Sequence, residues 1–176
     1  MRKLKNNELN RLNLEEFKNS QKTPLAIVLD NVRSAHNVGS VFRTSDAFLV
    51  EKICLCGITP TPPHKEIRKT ALGASESVNW EHYANSMDCI QELKAEGYHI
   101  ISIEQAEQAT MLNSFTPLKN CKYALVFGNE VKGVDQKIVS TSNTVIEIPQ
   151  YGTKHSLNIS VSSGVVIWDL FQKLQP

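Results

Sequence analysis

The sequence predicts one α/β domain built on a mostly parallel sheet. Three observations predict it. Apolar, β-like runs alternate with helix-like runs along most of the chain, the pattern of a parallel sheet. The first such run, Leu25-Ala-Ile-Val-Leu29, is apolar throughout, as a central parallel strand should be. Three runs, Leu25–Leu29, Tyr123–Phe127 and Val145–Ile148, each lead into a polar cluster. Parallel sheets bind ligands in the crevice beyond the carboxyl ends of their strands. Three polar clusters on one such edge are therefore expected to form one site.

Met1–Lys22 is a polar leader in which Leu4, Leu9, Leu12 and Phe17 fall roughly on one helical side, so it is expected to form one amphipathic helix. Thr23-Pro24 should end it, because the residue before proline avoids the helical region. Strand Leu25–Leu29 follows. Val38–Phe48 is expected to be helical, with Val38, Val41, Phe42 and Phe48 available for its inner face. Lys52–Cys56 reads as a second strand, Thr59–Pro63 as a rigid loop, and His64–Ala71 as a short helix. Ser77–Tyr83 reads as a strand, and Met87–Glu96 as a helix stopped by Gly97. Strands are expected at Tyr98–Ile103, Lys122–Phe127 and Thr144–Ile148, and helices at Asp135–Ser140 and Ser156–Leu174. There is no internal repeat.

A chain of 176 residues suits one domain after the leader, divided as 1–22 and 23–176. Its apolar share of 41% and charged share of 21% exclude global disorder. The net charge of +1 neither demands nor excludes nucleic acid, because a phosphate feels the local field. The leader cations Arg2, Lys3, Lys5 and Arg11 suit either an RNA-touching arm or a solvated surface helix. Met1–Lys22 has no apolar signal core, and no run reaches the roughly 18–20 apolar residues of a membrane span. Cys54, Cys56, Cys89 and Cys121 are accordingly expected to be reduced thiols in a cytoplasmic protein. Cys54 and Cys56 should share one strand face. No second Cys/His pair has zinc-site spacing, so no metal is expected.

The clusters do not match the common nucleotide motifs. No G-x-G-x-x-G follows the first strand, and Gly128-Asn-Glu-Val-Lys-Gly133 lacks the Gly-Lys-Ser/Thr of a P-loop. In the first cluster Asn37 suits a helix N-cap, with Arg43 inside the helix. Two readings stand for Arg43: a surface cation paired with Asp46 or another carboxylate, or a planar cation that binds phosphate or polarises a hydroxyl. His36 is a tempting base but suits a capping or packing role. In the second cluster Gly128 lets backbone approach a ligand, and Glu130 suits either a ligand amine or an arginine. In the third, Ser156 is expected to cap the last helix, with Asn158 and Ser160 in its first turn. Such a start favours an anion. The segment Ser156-Leu-Asn-Ile-Ser-Val-Ser-Ser is poor in strong helix formers, which points to a use for its small polar groups.

Together, Asn37-Val-Gly-Ser-Val-Phe-Arg43, Gly128-Asn-Glu-Val-Lys-Gly133 and Ile148-Pro with Ser156-Leu-Asn-Ile-Ser160 resemble the motifs of the SPOUT superfamily, in its SpoU/TrmH branch of RNA 2′-O-ribose methyltransferases. The resemblance covers about Pro24 to Leu170, and Lys69–Ala74 also looks like a family segment. It implies an α/β fold with helices on both faces, whose C-terminal segment forms a deep trefoil knot, and a homodimer with the knot region at the interface. It implies S-adenosylmethionine held largely by main chain at Gly128, Ile148 and Leu157, with Ile103 or Ser102 adding a contact. Arg43 matches the catalytic arginine, and Asn37, Glu130, Ser156 and Asn158 match its supporting polar residues. Tyr98–Gln105 and Ile148–Gln150 look similar to transfer-RNA-modifying members, including those acting on a D-loop guanosine. Ribosomal RNA, the anticodon wobble position, base methylation in another SPOUT branch, and a non-catalytic RNA-binding module are the alternatives. Arg33, Lys65, Arg68, Lys69, Lys132 and Lys154 are the cations expected near the site.

Overall fold

The computed structural model describes residues 1–175. Its centre is a seven-stranded sheet: β1 (Thr23–Asp30), β2 (Val50–Cys56), β3 (Asn79–Tyr83), β4 (Tyr98–Ile103), β5 (Thr110–Met111), β6 (Lys122–Phe127) and β7 (Thr144–Glu147). The strand order is β3-β2-β1-β6-β4-β7-β5, and every paired strand is parallel to its neighbour. The helices are α1 (Leu14–Asn19), α2 (Ala35–Ala47), α3 (Lys65–Ala71), α4 (Ala74–Ser77), α5 (Ser86–Ala95), α6 (Gln136–Thr141) and α7 (Ile159–Leu174). No described helix is long and apolar enough to cross a membrane.

Strand alternation creates two cores. Leu25, Ile27 and Leu29 of β1 face Val38, Val41 and Phe42 of α2, Ile67 of α3 and Val166, Ile167 and Leu170 of α7. The intervening Ala26 and Val28 lie in the opposite core with Cys54, Cys56, Cys89, Ile90, Leu93 and Ile138. Thus α2, α3 and α7 cover one face, while α5 and α6 cover the other. The two strand cysteines share a face, as expected, and all four cysteines are free.

Strands β4 and β6 match the sequence expectation to the residue, and β1 begins two residues early. Three local expectations are corrected. The leader is not one helix: a 3-10 turn spans Asn6–Glu8, and only Leu14–Asn19 is α-helical. Asn13 starts that helix through a capping box with Glu16, and buried Phe17 pins it to the core. Helix α2 begins at Ala35, with Ser34 as N-cap in place of Asn37. Helix α7 begins at Ile159, capped by Asn158, so Ser156 lies in the loop before it.

Helices α2 and α7 run parallel. Asn37 and Asn158 meet at their starts, and Phe48 packs on Trp168 and Phe171 beyond the end of α2. Helix α3 lies against α2 at Gly39, where a Cβ would fall 2.0 Å from Thr70 Oγ1 and 2.5 Å from the Ile67 carbonyl oxygen. We therefore expect Gly39→Ala to separate these helices. Overpacking of this kind costs about 1–3 kcal/mol. In a chain of this size each kcal/mol lowers Tm by roughly 2–4 °C, which a calorimetric scan would detect.

Candidate functional site

Registers Leu29↔Phe127, Ser102↔Val126 and Ile103↔Ile146 bring the carboxyl ends of β1, β6, β4 and β7 to one edge. The three polar clusters follow these ends. A cavity of about 700 Å³ opens there, among Ile103, Gly128, Glu130, Ile148, Leu157 and Asn158. Ser156 also lines it. Ser102 does not: it is fully buried, with its hydroxyl 2.8 Å from that of Ser142. Strand alternation turns Ser102 away from the edge and leaves Ile103 to line the cavity.

The loop after β6 is shaped by its own residues. Asn129 and Gly133 exchange backbone hydrogen bonds of 3.0 and 2.9 Å. The Asn129 Oδ1 accepts from Val131 and Lys132 N–H, and its amide donates to the Asn31 carbonyl at 2.8 Å. Gly128 is where this loop doubles back: a Cβ there would meet the Gly133 carbonyl carbon at 2.0 Å and the Val134 nitrogen at 2.1 Å. Sequence reasoning missed the bracing role of Asn129, because a loop asparagine has no periodic signal. It also missed Gln105, whose amide donates to the His155 carbonyl at 3.0 Å and ties the β4 loop to the last cluster.

Glu130 is a brace across the first two clusters. Its carboxylate accepts from the backbone N–H groups of Arg33 (3.0 Å) and Ser34 (2.9 Å), at the amino end of α2. The Asn37 amide lies 3.5 Å from Oε1, and the Arg33 guanidinium is at 4.0 Å. A carboxylate at a helix start also meets the positive end of the helix dipole. Asn37 in turn accepts from the Asn158 amide at 3.2 Å, while Asn158 Oδ1 accepts from Ser160 N–H at 2.9 Å and caps α7. One chain of polar contacts thus joins all three clusters: Glu130, Asn37, Asn158.

Burial pushes the Glu130 carboxyl up, but the N–H donors of Arg33, Glu130 itself and Ser34, with the Asn37 amide, together hold it below its ordinary value. A depressed carboxyl contributes stability above its unfolded value of about 4.3 and loses it as pH falls through the folded value. Glu130→Gln should lose this increment. Urea unfolding at neutral pH should show the native chain more stable than the variant, with the gap shrinking toward pH 3.

Arg43 stands apart from this chain of contacts. Val38, Val41 and Phe42 face the core, so Arg43 points out to solvent. It lies six residues beyond Asn37, about 9 Å along the axis and on another side of α2. It does not line the cavity. It lines a second cleft of about 670 Å³, with Arg11, Leu12, Asp46 and Glu76. The expectation that all three clusters form one site is therefore not met for Arg43, which lies away from Gly128 and Leu157. Nor is Arg43 paired with Asp46, which accepts from the Ser77 hydroxyl. Among the described residues the Arg43 side chain has no hydrogen-bond or ion-pair partner. His36, the tempting base, sits 2.6 Å from Glu66, and its carbonyl accepts from Thr70 on α3. No metal-holding cluster occurs among the described residues.

The cavity suits a nucleoside-sized ligand, since such pockets commonly span roughly 300–1,000 Å³. Its wall mixes apolar Phe127, Ile148 and Leu157 with polar Glu104, Glu147 and Gln150.

A family model described as the SpoU rRNA Methylase family matches residues 24–168. The 23S rRNA (guanosine-2′-O-)-methyltransferase RlmB of Neisseria meningitidis is 30% identical over 159 residues, covering 90% of this chain and 62% of that protein. The tRNA (guanosine(18)-2′-O)-methyltransferase of Borreliella burgdorferi is 27% identical over 168 residues, covering 92% of this chain and 72% of that protein. The AdoMet-bound rRNA methyltransferase from Sinorhizobium meliloti superposes with a TM-score of 0.81 at 26% identity, over 89% of this chain and 59% of that one. This chain thus spans less than two thirds of several relatives it matches.

Proposed function

The chain belongs to the SpoU rRNA methylase family, and from that premise we propose that it methylates a ribose 2′-hydroxyl of RNA with S-adenosylmethionine. The observation that carries this reading is that Glu130 and Asn158 of the second and third motifs line one cavity and are both tied to Asn37 of the first. When bound, S-adenosylmethionine supplies an electrophilic methyl group on a sulfonium. Gly128, Ile148 and Leu157, with Ile103, would hold it, since all four line the cavity. The missing Gly128 side chain lets the Gly133–Val134 backbone pack close, and main-chain N–H and C=O groups on this wall suit recognition of an adenine edge. Glu147 on the lining suits a cationic ligand.

Arg43 is our candidate catalytic residue. A guanidinium is a poor base, since its pKa exceeds about 12. Its role is to orient the 2′-oxygen and adjoining phosphate and to stabilise developing negative charge. Asn37 and Asn158 hold each other at the mouth between α2 and α7, and Ser156 adds a hydroxyl at the rim. Holding oxygen and methyl carbon in line is itself worth roughly 7–11 kcal/mol in favourable cases.

Because Arg43 is off the cavity lining, we propose that the working form is a homodimer. Val161, Val165 and Trp168 of α7 are 52%, 40% and 50% exposed, and their spacing puts them on one side of the helix. This apolar stripe starts beside Ser162, which lines the cavity. We propose that a second copy seats on it and that each copy's Arg43 serves the other's cavity. We further propose that the C-terminal segment is knotted and that the protein is cytoplasmic.

For the substrate we propose transfer RNA, with a D-loop guanosine favoured; the name of the Borreliella relative, a tRNA (guanosine(18)-2′-O)-methyltransferase, supports a tRNA guanosine. The name of the Neisseria relative supports ribosomal RNA as the second reading. Calorimetry with S-adenosylhomocysteine tests the cofactor step, and absence of binding would favour a non-catalytic RNA-binding module. RNA binding should weaken steeply with salt, with slopes of about 0.7–0.9 per phosphate contacted on a log–log plot. A flat affinity between low and moderate salt would contradict a phosphate-led grip.

A further inference from the structure

The cavity loop is held by two carboxylates that neither the motifs nor the proposed chemistry uses. Strand β6 runs into this loop, and β1 and β4 lie on either side of β6. Asp30 ends β1, and Glu104 directly follows β4. Asp30 is 2% exposed, and its Oδ2 accepts from Asp135 N–H at 3.0 Å. Its Oδ1 accepts from the Ser86 hydroxyl at 2.5 Å and the Asn31 amide at 2.8 Å. Glu104 Oε2 accepts from Val134 N–H at 3.1 Å, and Oε1 from Gln105 N–H at 2.9 Å. Consecutive N–H groups, 134 and 135, are thus held from the two flanking strands.

We propose that Asp30 and Glu104 are positioning residues that set the shape of the cofactor cavity, an inference that rests on the function proposed above. Val134 lines the cavity, and Asp135 caps α6, whose Gln136 and Val139 also line it. Fixing these two N–H groups therefore fixes one wall. Neither carboxylate has an ion-pair partner among the described residues, so surface charge pairing does not account for them. Their partners are neutral donors. A carboxylate accepts at both oxygens and donates at neither. Asn at position 30 that kept its carbonyl on Ser86 and Asn31 would turn an NH₂ group toward the Asp135 N–H. Gly133 fits the same arrangement: its φ is +70°, and a Cβ there would lie 2.2 Å from Glu104 Oε2. The glycine thus serves both the turn and the approach of the carboxylate.

The test uses the full chain with Asp30→Asn and Glu104→Gln, each made singly. Without ligand, hydrogen exchange should speed up roughly tenfold or more at the 134 and 135 amides, the scale of losing a hydrogen bond to a charged group. Amides of β1 and β2 should keep their protection. Calorimetry should show weaker S-adenosylhomocysteine binding by a similar factor, and KM for S-adenosylmethionine should rise far more than kcat falls. General destabilisation would instead speed exchange throughout and leave KM in place, and that result would overturn the proposal. So would unchanged exchange at 134 and 135, or unchanged affinity, in both variants. If Asp30→Asn does not fold, Glu104→Gln alone decides by the same readouts, because Glu104 lies at the cavity surface. An unsubstituted chain that does not bind S-adenosylhomocysteine would overturn the cofactor reading, and the proposal with it.

Discussion

Arg43→Ala should lower turnover by about 10²–10³-fold while leaving fold and cofactor affinity nearly intact. Groups that stabilise developing charge in a transition state contribute on this scale. The rest follows from where Arg43 sits. It is exposed, without a partner among the described residues, and surface changes of that kind usually move stability by no more than about 0.5 kcal/mol. It does not line the cavity, so S-adenosylhomocysteine should bind the variant normally. Arg43→Lys should fail almost as badly, since lysine keeps the charge but loses the planar fork. Near-normal turnover by a folded Arg43→Lys chain would remove Arg43 from the proposed chemistry. The proposed dimer adds a sharper expectation. Two inactive chains, one Arg43→Ala and one damaged at the cofactor cavity, should regain activity when refolded together. If the mixture stays inactive while mixed dimers form, each site is built by one chain.

Gly128→Ala should act elsewhere, on cofactor binding. The added Cβ would meet backbone in every near direction: the Gly133 carbonyl carbon at 2.0 Å, the Val134 nitrogen at 2.1 Å and the Gly133 oxygen at 2.3 Å. No rotamer change relieves such contacts, so the 133–134 segment must move, and it forms one wall of the cavity. We expect S-adenosylhomocysteine affinity to fall at least about tenfold, or 1.4 kcal/mol. The sheet should persist, because Gly128 lies beyond the end of β6. Wild-type affinity in this variant would show that the cavity is not where the cofactor sits.

Particular residues show how far the chain could be read without coordinates. The parallel sheet was legible, because β1, β4 and β6 are long apolar runs bounded by polar residues. Gathering the three clusters on one edge followed from that same order of strands. Helix starts were less legible. Asn37 and Ser156 are good N-cap types, yet Ser34 and Asn158 hold those places. The start of α2 is held by Glu130, 96 residues beyond Ser34, a contact that no local pattern reveals. Leucine spacing suggested a long leader helix, but the Asn13–Glu16 capping box begins the α-helix only at Leu14. Ser102 was one residue off in a strand, enough to turn its side chain from the edge into the core. The position of Arg43 was half legible: apolar Val38, Val41 and Phe42 imply an outward residue 43, but not which cleft it would enter. The hold of Asp30 and Glu104 on the cavity loop carried no signal, since the loop N–H groups they accept from are 105 and 30 residues away.

The most direct measurement is made on the product. Transfer RNA incubated with the chain and S-adenosylmethionine would be digested to nucleosides and analysed by mass spectrometry. A methyl group on a ribose 2′-oxygen, missing from the Arg43→Ala reaction, is the predicted result. A methyl group on a base, or no methylated nucleoside from either transfer or ribosomal RNA, would contradict it.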